Sequence, residues 1–127
     1  MNAMKRLSQI FPIIIFIAIP VICCAGQFKV VRVTDGDTIK VVDNGKTITI
    51  RLFGIDAPET SKGKNQPGQP FSRKSTKYLA NLVLNKSVEV KSYGTDRYGR
   101  ILGAVFVDGK NVNHEMIKAG LAEVYRG

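Results

Sequence analysis

The sequence predicts a mainly β domain with packed helices, folded as a small closed barrel. Three observations carry that reading. Val, Ile and Thr recur at alternate positions in short runs, Asp-Gly or Asn-Gly pairs fall between the runs, and one amphipathic helical stretch separates the third run from the fourth. With 127 residues, 44% of them hydrophobic and 23% charged, the chain has the size and composition of one ordered domain with a small core.

From Gln27 the chain reads as a strand meander, FKVVRVTDGDTIKVVDNGKTITIRLFGI. The Asn44-Gly45 pair sits between TIKVV and TITIRLF, and a two-residue primed turn needs positive φ at both positions, so residues 38 to 53 form one hairpin. The next stretch, TSKGKNQPGQP from Thr60 to Pro70, sustains neither a helix nor a central strand and reads as a mobile loop. Phe71, Ser75, Tyr78, Leu79, Leu82 and Val83 then fall at helical spacing, with Arg73, Lys74 and Lys77 on other faces, which predicts a helix over about residues 70 to 85 packed on the sheet. Two more strands, 87 to 93 and 101 to 107, are joined by the polar link GTDRYGR. After the Asp108-Gly109 turn, Asn113 is placed to cap a short helix through Met116, Ile117 and Leu121. Five short strands with a helix between the third and fourth suggest a five-stranded OB-fold barrel, whose open face and loops suit nucleic acids or sugars.

Residues 1–25 are set apart from this domain. Lys5 and Arg6 precede an uncharged apolar run from Ile10 to Ile22, a signal-peptide pattern, with cleavage expected after Ala25 and residues 26–127 forming the domain. The run is short for a membrane span and is interrupted by Pro12 and Pro20. The expectation is therefore a secreted or periplasmic protein without stable membrane association after cleavage. An uncleaved anchor, or a lipid on Cys23 or Cys24, is the alternative. Those two cysteines are adjacent and the only ones, which excludes a disulfide framework and a four-thiolate zinc site.

The formal net charge is +9, and it becomes +7 when Lys5 and Arg6 leave with the first 25 residues. A charge of this sign favours a polyanionic partner without proving one.

The chemistry concentrates in a few acids and arginines. Asp35-Gly36-Asp37-Thr38 places two carboxylates within three residues, with a glycine that permits a sharp turn, although Asp-Gly pairs commonly do nothing else. Asp56-Ala57-Pro58-Glu59 adds two more, and its proline keeps the segment extended. If the hairpin forms as read, its second strand returns beside its start and brings Asp56 near Asp37. Such hard oxygen donors suit calcium or magnesium rather than zinc or copper. His114, the single histidine, reads as a surface residue. Arg51 lies within an apolar strand and needs an anionic partner, either an internal carboxylate or a phosphate. Arg100 ends the polar link just before a strand, a second fixed mounting point for a guanidinium.

These residues resemble the staphylococcal (micrococcal) nuclease, or thermonuclease, family. The resemblance rests on DGDT at 35–38, Arg51 fourteen residues after Asp37, DAPET at 56–60, TDRYGR at 95–100 and DGKNVNHEMIKAGLA at 108–122, in that order, and spans about residues 28 to 125. It implies an OB barrel that hydrolyses phosphodiester bonds of DNA and RNA with Ca2+ and leaves 3′-phosphate products. By position it implies that Asp37 and Asp56 bind calcium through carboxylates and Ala57 through its carbonyl, with Asp35 supporting the ion through water. Arg51 and Arg100 would clamp the phosphate, Glu59 would act as general base or orient the attacking water, and Tyr98 would lie near the nucleotide phosphate. Apart from the resemblance, the loop carrying Lys62, Lys64 and Pro67 either covers the substrate or is an ordinary solvated loop.

Relative to the staphylococcal pattern, alanine stands at 57 in place of threonine, and the C-terminal helix is short or missing, with only Tyr125 near the chain end. Two further readings stand beside the nuclease: a non-catalytic OB module that binds nucleic acid, and a chain that needs a longer C-terminus or a ligand to fold. The full set Asp37, Asp56, Glu59, Arg51 and Arg100 argues against the binding module. A monomer is the family expectation.

Overall fold

The structure is a computed structural model that describes residues 12–15, 27–60 and 68–126. The predicted cleavage site and most of the Thr60–Pro70 loop, with Lys62, Lys64 and Pro67, lie outside the described residues. The strands are β1 (Gln27–Asp35), β2 (Thr38–Asp43), β3 (Lys46–Leu52), β4 (Ile55–Asp56), β5 (Ser87–Thr95), β6 (Ile101–Val107), β7 (Lys110–Asn111) and β8 (Glu123–Val124). The helices are α1 (Ser72–Val83) and α2 (Val112–Lys118).

Antiparallel pairing runs β3-β2-β1-β5-β6, and a parallel pairing of β3 with β6 closes the five long strands into a barrel. The β1–β5 pairing is short, joining only Gln27–Lys29 to Ser87–Glu89. The β2–β3 hairpin turns at Asn44 and Gly45, both at positive φ (48° and 78°), as the Asn-Gly pair predicts. Alternation sends Ile39, Val41, Ile50 and Leu52 inward, where they meet Val30, Val88 and Val105. β1 carries irregularities between Val30 and Arg32 and between Val33 and Asp35, and the first leaves Val31 44% exposed.

Helix α1 lays Leu79 and Val83 into this core, and its Ser75 hydroxyl donates to the Leu121 carbonyl at 2.8 Å. Phe71 was expected on the apolar face, but it precedes the helix at φ 64° and is 70% exposed. Gly36 lies in the tight β1–β2 turn, as the sequence expects, although without a positive φ. Close approach is a second demand on this position, because an added Cβ would collide with Ser75 Oγ and the Ala57 Cβ.

The second helix departs from expectation as well. Its N-cap is Asn111, whose side chain accepts from the His114 amide at 3.0 Å. Asn113 instead points inward: its Oδ1 accepts from the Val105 amide at 3.0 Å, and its Nδ2 donates to the Phe53 and Gly103 carbonyls at 3.0 and 3.1 Å. This one side chain links backbone groups of two strands at the end of the barrel, where the Gly103 carbonyl also accepts from the Phe53 amide at 2.8 Å, and it is the kind of buried amide whose loss is costly. α2 stops at Lys118, so Leu121 is buried in the link that follows rather than in the helix. The chain then pairs β8 with β4, setting Glu123 opposite Asp56.

Candidate active site

The β2–β3 register places Arg51 opposite Thr38, and the Leu52 amide donates to the Asp37 carbonyl at 2.7 Å, so the start of the hairpin and its end share one neighbourhood. Arg51 fixes the site there. Its Nη1 donates to the Ile55 carbonyl at 2.8 Å and lies 3.3 Å from Asp37 Oδ2, while Nη2 lies 3.3 Å from Asp56 Oδ1. The charge placed within an apolar strand thus has its anionic partners, and two acids nineteen residues apart share one guanidinium.

Asp37 is almost fully buried and fully engaged. Its Oδ2 also accepts from the Ala57 amide at 2.8 Å, and its Oδ1 from the Thr38 hydroxyl at 2.9 Å. Asp35 lies beside it with a buried Oδ1 that has no hydrogen-bond partner among the described residues. Burial, then the neighbouring Asp37 charge and a hydrogen bond shared with it, push the Asp35 carboxyl up to about 6, against the smaller opposing influences of Thr38 and Arg51.

Glu59 follows two residues after Ala57 and is exposed. Its main chain is clasped by Gln69: the Glu59 amide donates to Gln69 Oε1 at 2.8 Å and the Gln69 amide to the Glu59 carbonyl at 2.9 Å. Arg100 is held by Asp96, whose Oδ2 accepts from Arg100 Nε at 2.7 Å and whose Oδ1 accepts from the Arg100 and Tyr98 amides at 3.0 and 2.9 Å. Desolvation raises the Asp96 carboxyl, but these bonds and the Arg100 charge outweigh it and hold the group below the usual carboxylate range. Tyr98 is exposed, with the Arg97 and Arg100 guanidinium carbons 4.9 and 5.4 Å from its ring centre.

Arg51 and Arg100 line one open cleft of about 660 Å³, together with Phe53, Tyr98, Val124 and Tyr125. The predicted residues Asp35, Asp37, Arg51, Asp56 and Ala57 are therefore joined by direct contacts, and Arg100 and Tyr98 face the same space as Arg51. Asp96, Gln69 and Phe53 were not singled out from the sequence. The Asp96 signal was available, an acid four residues before Arg100 in a polar turn, whereas nothing local links Gln69 to Glu59.

The sequence model of a family described as staphylococcal nuclease homologue matches residues 49–127. The chain belongs to that family. It is accordingly a hydrolytic nuclease, and nucleic acid is its substrate. An uncharacterized endonuclease of Escherichia coli is 46% identical over 121 residues, covering 94% of this chain and 74% of the relative. Endonuclease YncB of Bacillus subtilis is 42% identical over 107 residues, 78% of this chain and 50% of that protein. The thermonuclease of Staphylococcus hyicus is 39% identical over 97 residues, 75% of this chain and 57% of that protein.

Among the described residues no group of three or more His, Cys, Asp or Glu side chains converges on one point. What favours a hard divalent ion is the unpartnered Asp35 Oδ1 beside the Asp37 carboxylate, a like-charge pair that a cation relieves. The donors fit an ion that takes few protein carboxylates and fills its other positions with carbonyl oxygen and water.

Proposed function

We propose that this chain is an exported, calcium-dependent nuclease that cleaves DNA and RNA and leaves 3′-phosphate ends. The observation that carries this reading is the cleft in which Arg51, fixed by Asp37 and Asp56, and Arg100, fixed by Asp96, face one space. Asp37, Asp56 and the Ala57 carbonyl would hold the calcium, with Asp35 behind them through water. When bound, the ion supplies positive charge to the phosphate oxygens and lowers the pKa of nearby water.

The chain's own residues do the remaining work. Two guanidinium forks grip the non-bridging oxygens and stabilise the charge that builds there as water attacks phosphorus. The Glu59 carboxylate accepts a proton from that water, and its main chain is kept in place by Gln69. The P–O5′ bond breaks, the 5′ oxygen leaves as a hydroxyl by taking a proton from solvent water, and the phosphate stays on the 3′ side. Tyr98 sits beside Arg100 at the rim, where it can contact the nucleotide phosphate.

Export is supported by the charged-then-apolar pattern of residues 1–25, and an unrestrained nuclease is best kept away from its own genome. The test is cleavage of single-stranded DNA, duplex DNA and RNA by residues 26–127 with calcium, with magnesium and with chelator, beside Glu59→Gln and a circular dichroism check. Calcium-dependent cleavage that collapses in Glu59→Gln supports the reading. A folded protein that binds nucleic acid and never cuts overturns it in favour of a binding module.

A further inference from the structure

Away from the Arg51–Arg100 cleft, two adjoining grooves run along α1. The first, about 420 Å³, lies between β1 and α1 and is lined by Val31, Arg32, Arg73, Lys77, Ala80 and Leu84, among others. The second, about 730 Å³, lies at the start of α1 and includes Gln69, Phe71, Arg73 and Lys74. Both include Thr60 and Arg73, and Thr60 directly follows Glu59. The two are one continuous path that begins next to the proposed general base.

Neither groove has an Asp or Glu among its lining residues. Arg32, Arg73 and Lys77 are exposed, and among the described residues none of them forms an ion pair. Cations that folding leaves unpaired along a shared track attract a polyanion rather than hold the fold together. The floor is apolar: Val31 is pushed out by the β1 irregularity and Leu84 ends the helix, at 44% and 37% exposure. Phe71 stands at the head of the path with 70% of its surface exposed and φ 64°, a backbone state costly for an aromatic residue, which holds its ring out beside the path. Unpaired cations along a groove beside an exposed ring are the elements of a single-strand binding surface, where phosphates meet the charges and a base stacks on the ring.

We propose that the α1–β1 path is a second binding surface that holds single-stranded nucleic acid several nucleotides away from the scissile bond, with Arg32, Arg73 and Lys77 on phosphates and Phe71 under a base. The inference rests on the nuclease reading above. It makes the enzyme sensitive to substrate length, because a short substrate fills the catalytic cleft without reaching α1.

The experiment compares wild type, Arg32→Ala/Arg73→Ala/Lys77→Ala, Phe71→Ala, and a charge-matched control, Lys46→Ala/Lys110→Ala/Lys118→Ala, all checked by circular dichroism. Binding of a labelled long single strand and of a trinucleotide is measured in chelator across a salt series, and cleavage of both is measured with calcium. The α1–β1 triple variant is expected to bind the long strand about tenfold more weakly, with a salt slope lower by about 2 at roughly 0.7 per phosphate contact. Its cleavage of the trinucleotide should match wild type. Phe71→Ala should weaken long-strand binding with the salt slope unchanged. The proposal is overturned if the triple variant binds the long strand like wild type, if the control loses as much, or if trinucleotide cleavage falls equally. Failure of the nuclease reading is seen separately, as wild type cutting neither substrate, while the length dependence is still read from binding in chelator.

Discussion

The Ala57 amide donates to Asp37 Oδ2 at 2.8 Å, which ties two acidic segments twenty residues apart into one site. The bond orders the site from its interior: Asp37 is buried, and its carboxylate fixes both the backbone after β4 and the guanidinium of Arg51. The acids and the arginine thus form a unit that is assembled before any substrate arrives.

Arg51→Lys should break that unit while keeping the charge. Lysine is a point charge and cannot reach Asp37, Asp56 and the Ile55 carbonyl together as the fork does. Stability should fall by about 1–3 kcal/mol, since hydrogen bonds to charged groups are lost at a partly buried position. Turnover should fall by about 10²–10³-fold, the scale of losing one preorganised donor to a developing anion. Urea denaturation and kcat/KM on single-stranded DNA check the two separately.

Gly36→Ala should destabilise the protein by about 1–3 kcal/mol, because the new methyl group meets Ser75 Oγ and the Ala57 Cβ in a packed interior. The effect should couple with Ser75. In Gly36→Ala/Ser75→Ala the clashing oxygen is gone, so the double variant should be less destabilised than the sum of the singles. Strict additivity in thermal or urea melts would show that the turn accommodates the methyl group without involving α1.

Asn111 and Asn113 offer a paired test at the second helix. Asn111→Ala removes an N-cap and should cost about 1 kcal/mol. Asn113→Ala removes the side-chain partner of the Val105 amide and the Phe53 carbonyl and leaves the Gly103 carbonyl with the Phe53 amide alone, and should cost about 2–4 kcal/mol. If Asn113 were the cap, as the sequence pattern suggested, the order would be reversed. Chemical denaturation of both variants reads the order directly.

The strands, the Asn44-Gly45 hairpin and the long helix were legible because alternation, turn chemistry and helical spacing are local signals. Asp37, Asp56 and Arg51, which sit in short motifs, were also singled out, and the fold brings them into contact. Asn113 was misread because the chain around it contains two asparagines two residues apart, and the deciding contacts are to Phe53 and Gly103, far away in sequence. The turn at Gly36 was legible, but its close approach to Ser75 and Ala57 was not, because those neighbours are distant in sequence. Phe71 fits the apolar spacing of α1, but the helix begins one residue later and turns it outward. The clasp of Gln69 on Glu59 closes across ten residues without a periodic signal.

Asp96 supplies the pH dependence. Desolvation alone would raise its carboxyl, but the Arg100 side chain, the Arg100 and Tyr98 amides and the Arg100 charge lower it below its ordinary value. The native state therefore binds fewer protons at this group than the unfolded chain does, and stability rises with pH through the window between the two values. The contribution is complete above the ordinary carboxylate value of about 4 and is lost as pH falls through the lower folded value. The stability difference between wild type and Asp96→Asn should be constant from neutral pH down to about 5, and should shrink below about 4. At neutral pH the amide can still accept from the backbone, but it no longer anchors the Arg100 Nε by charge, so the guanidinium loses its fixed aim. Cleavage by Asp96→Asn should then fall on the order of tenfold in kcat/KM with little change in folded content. A stability difference that persists unchanged at pH 3 would show that Asp96 acts only through packing. A cleavage rate equal to wild type would show that Arg100 holds its position in the cleft without it.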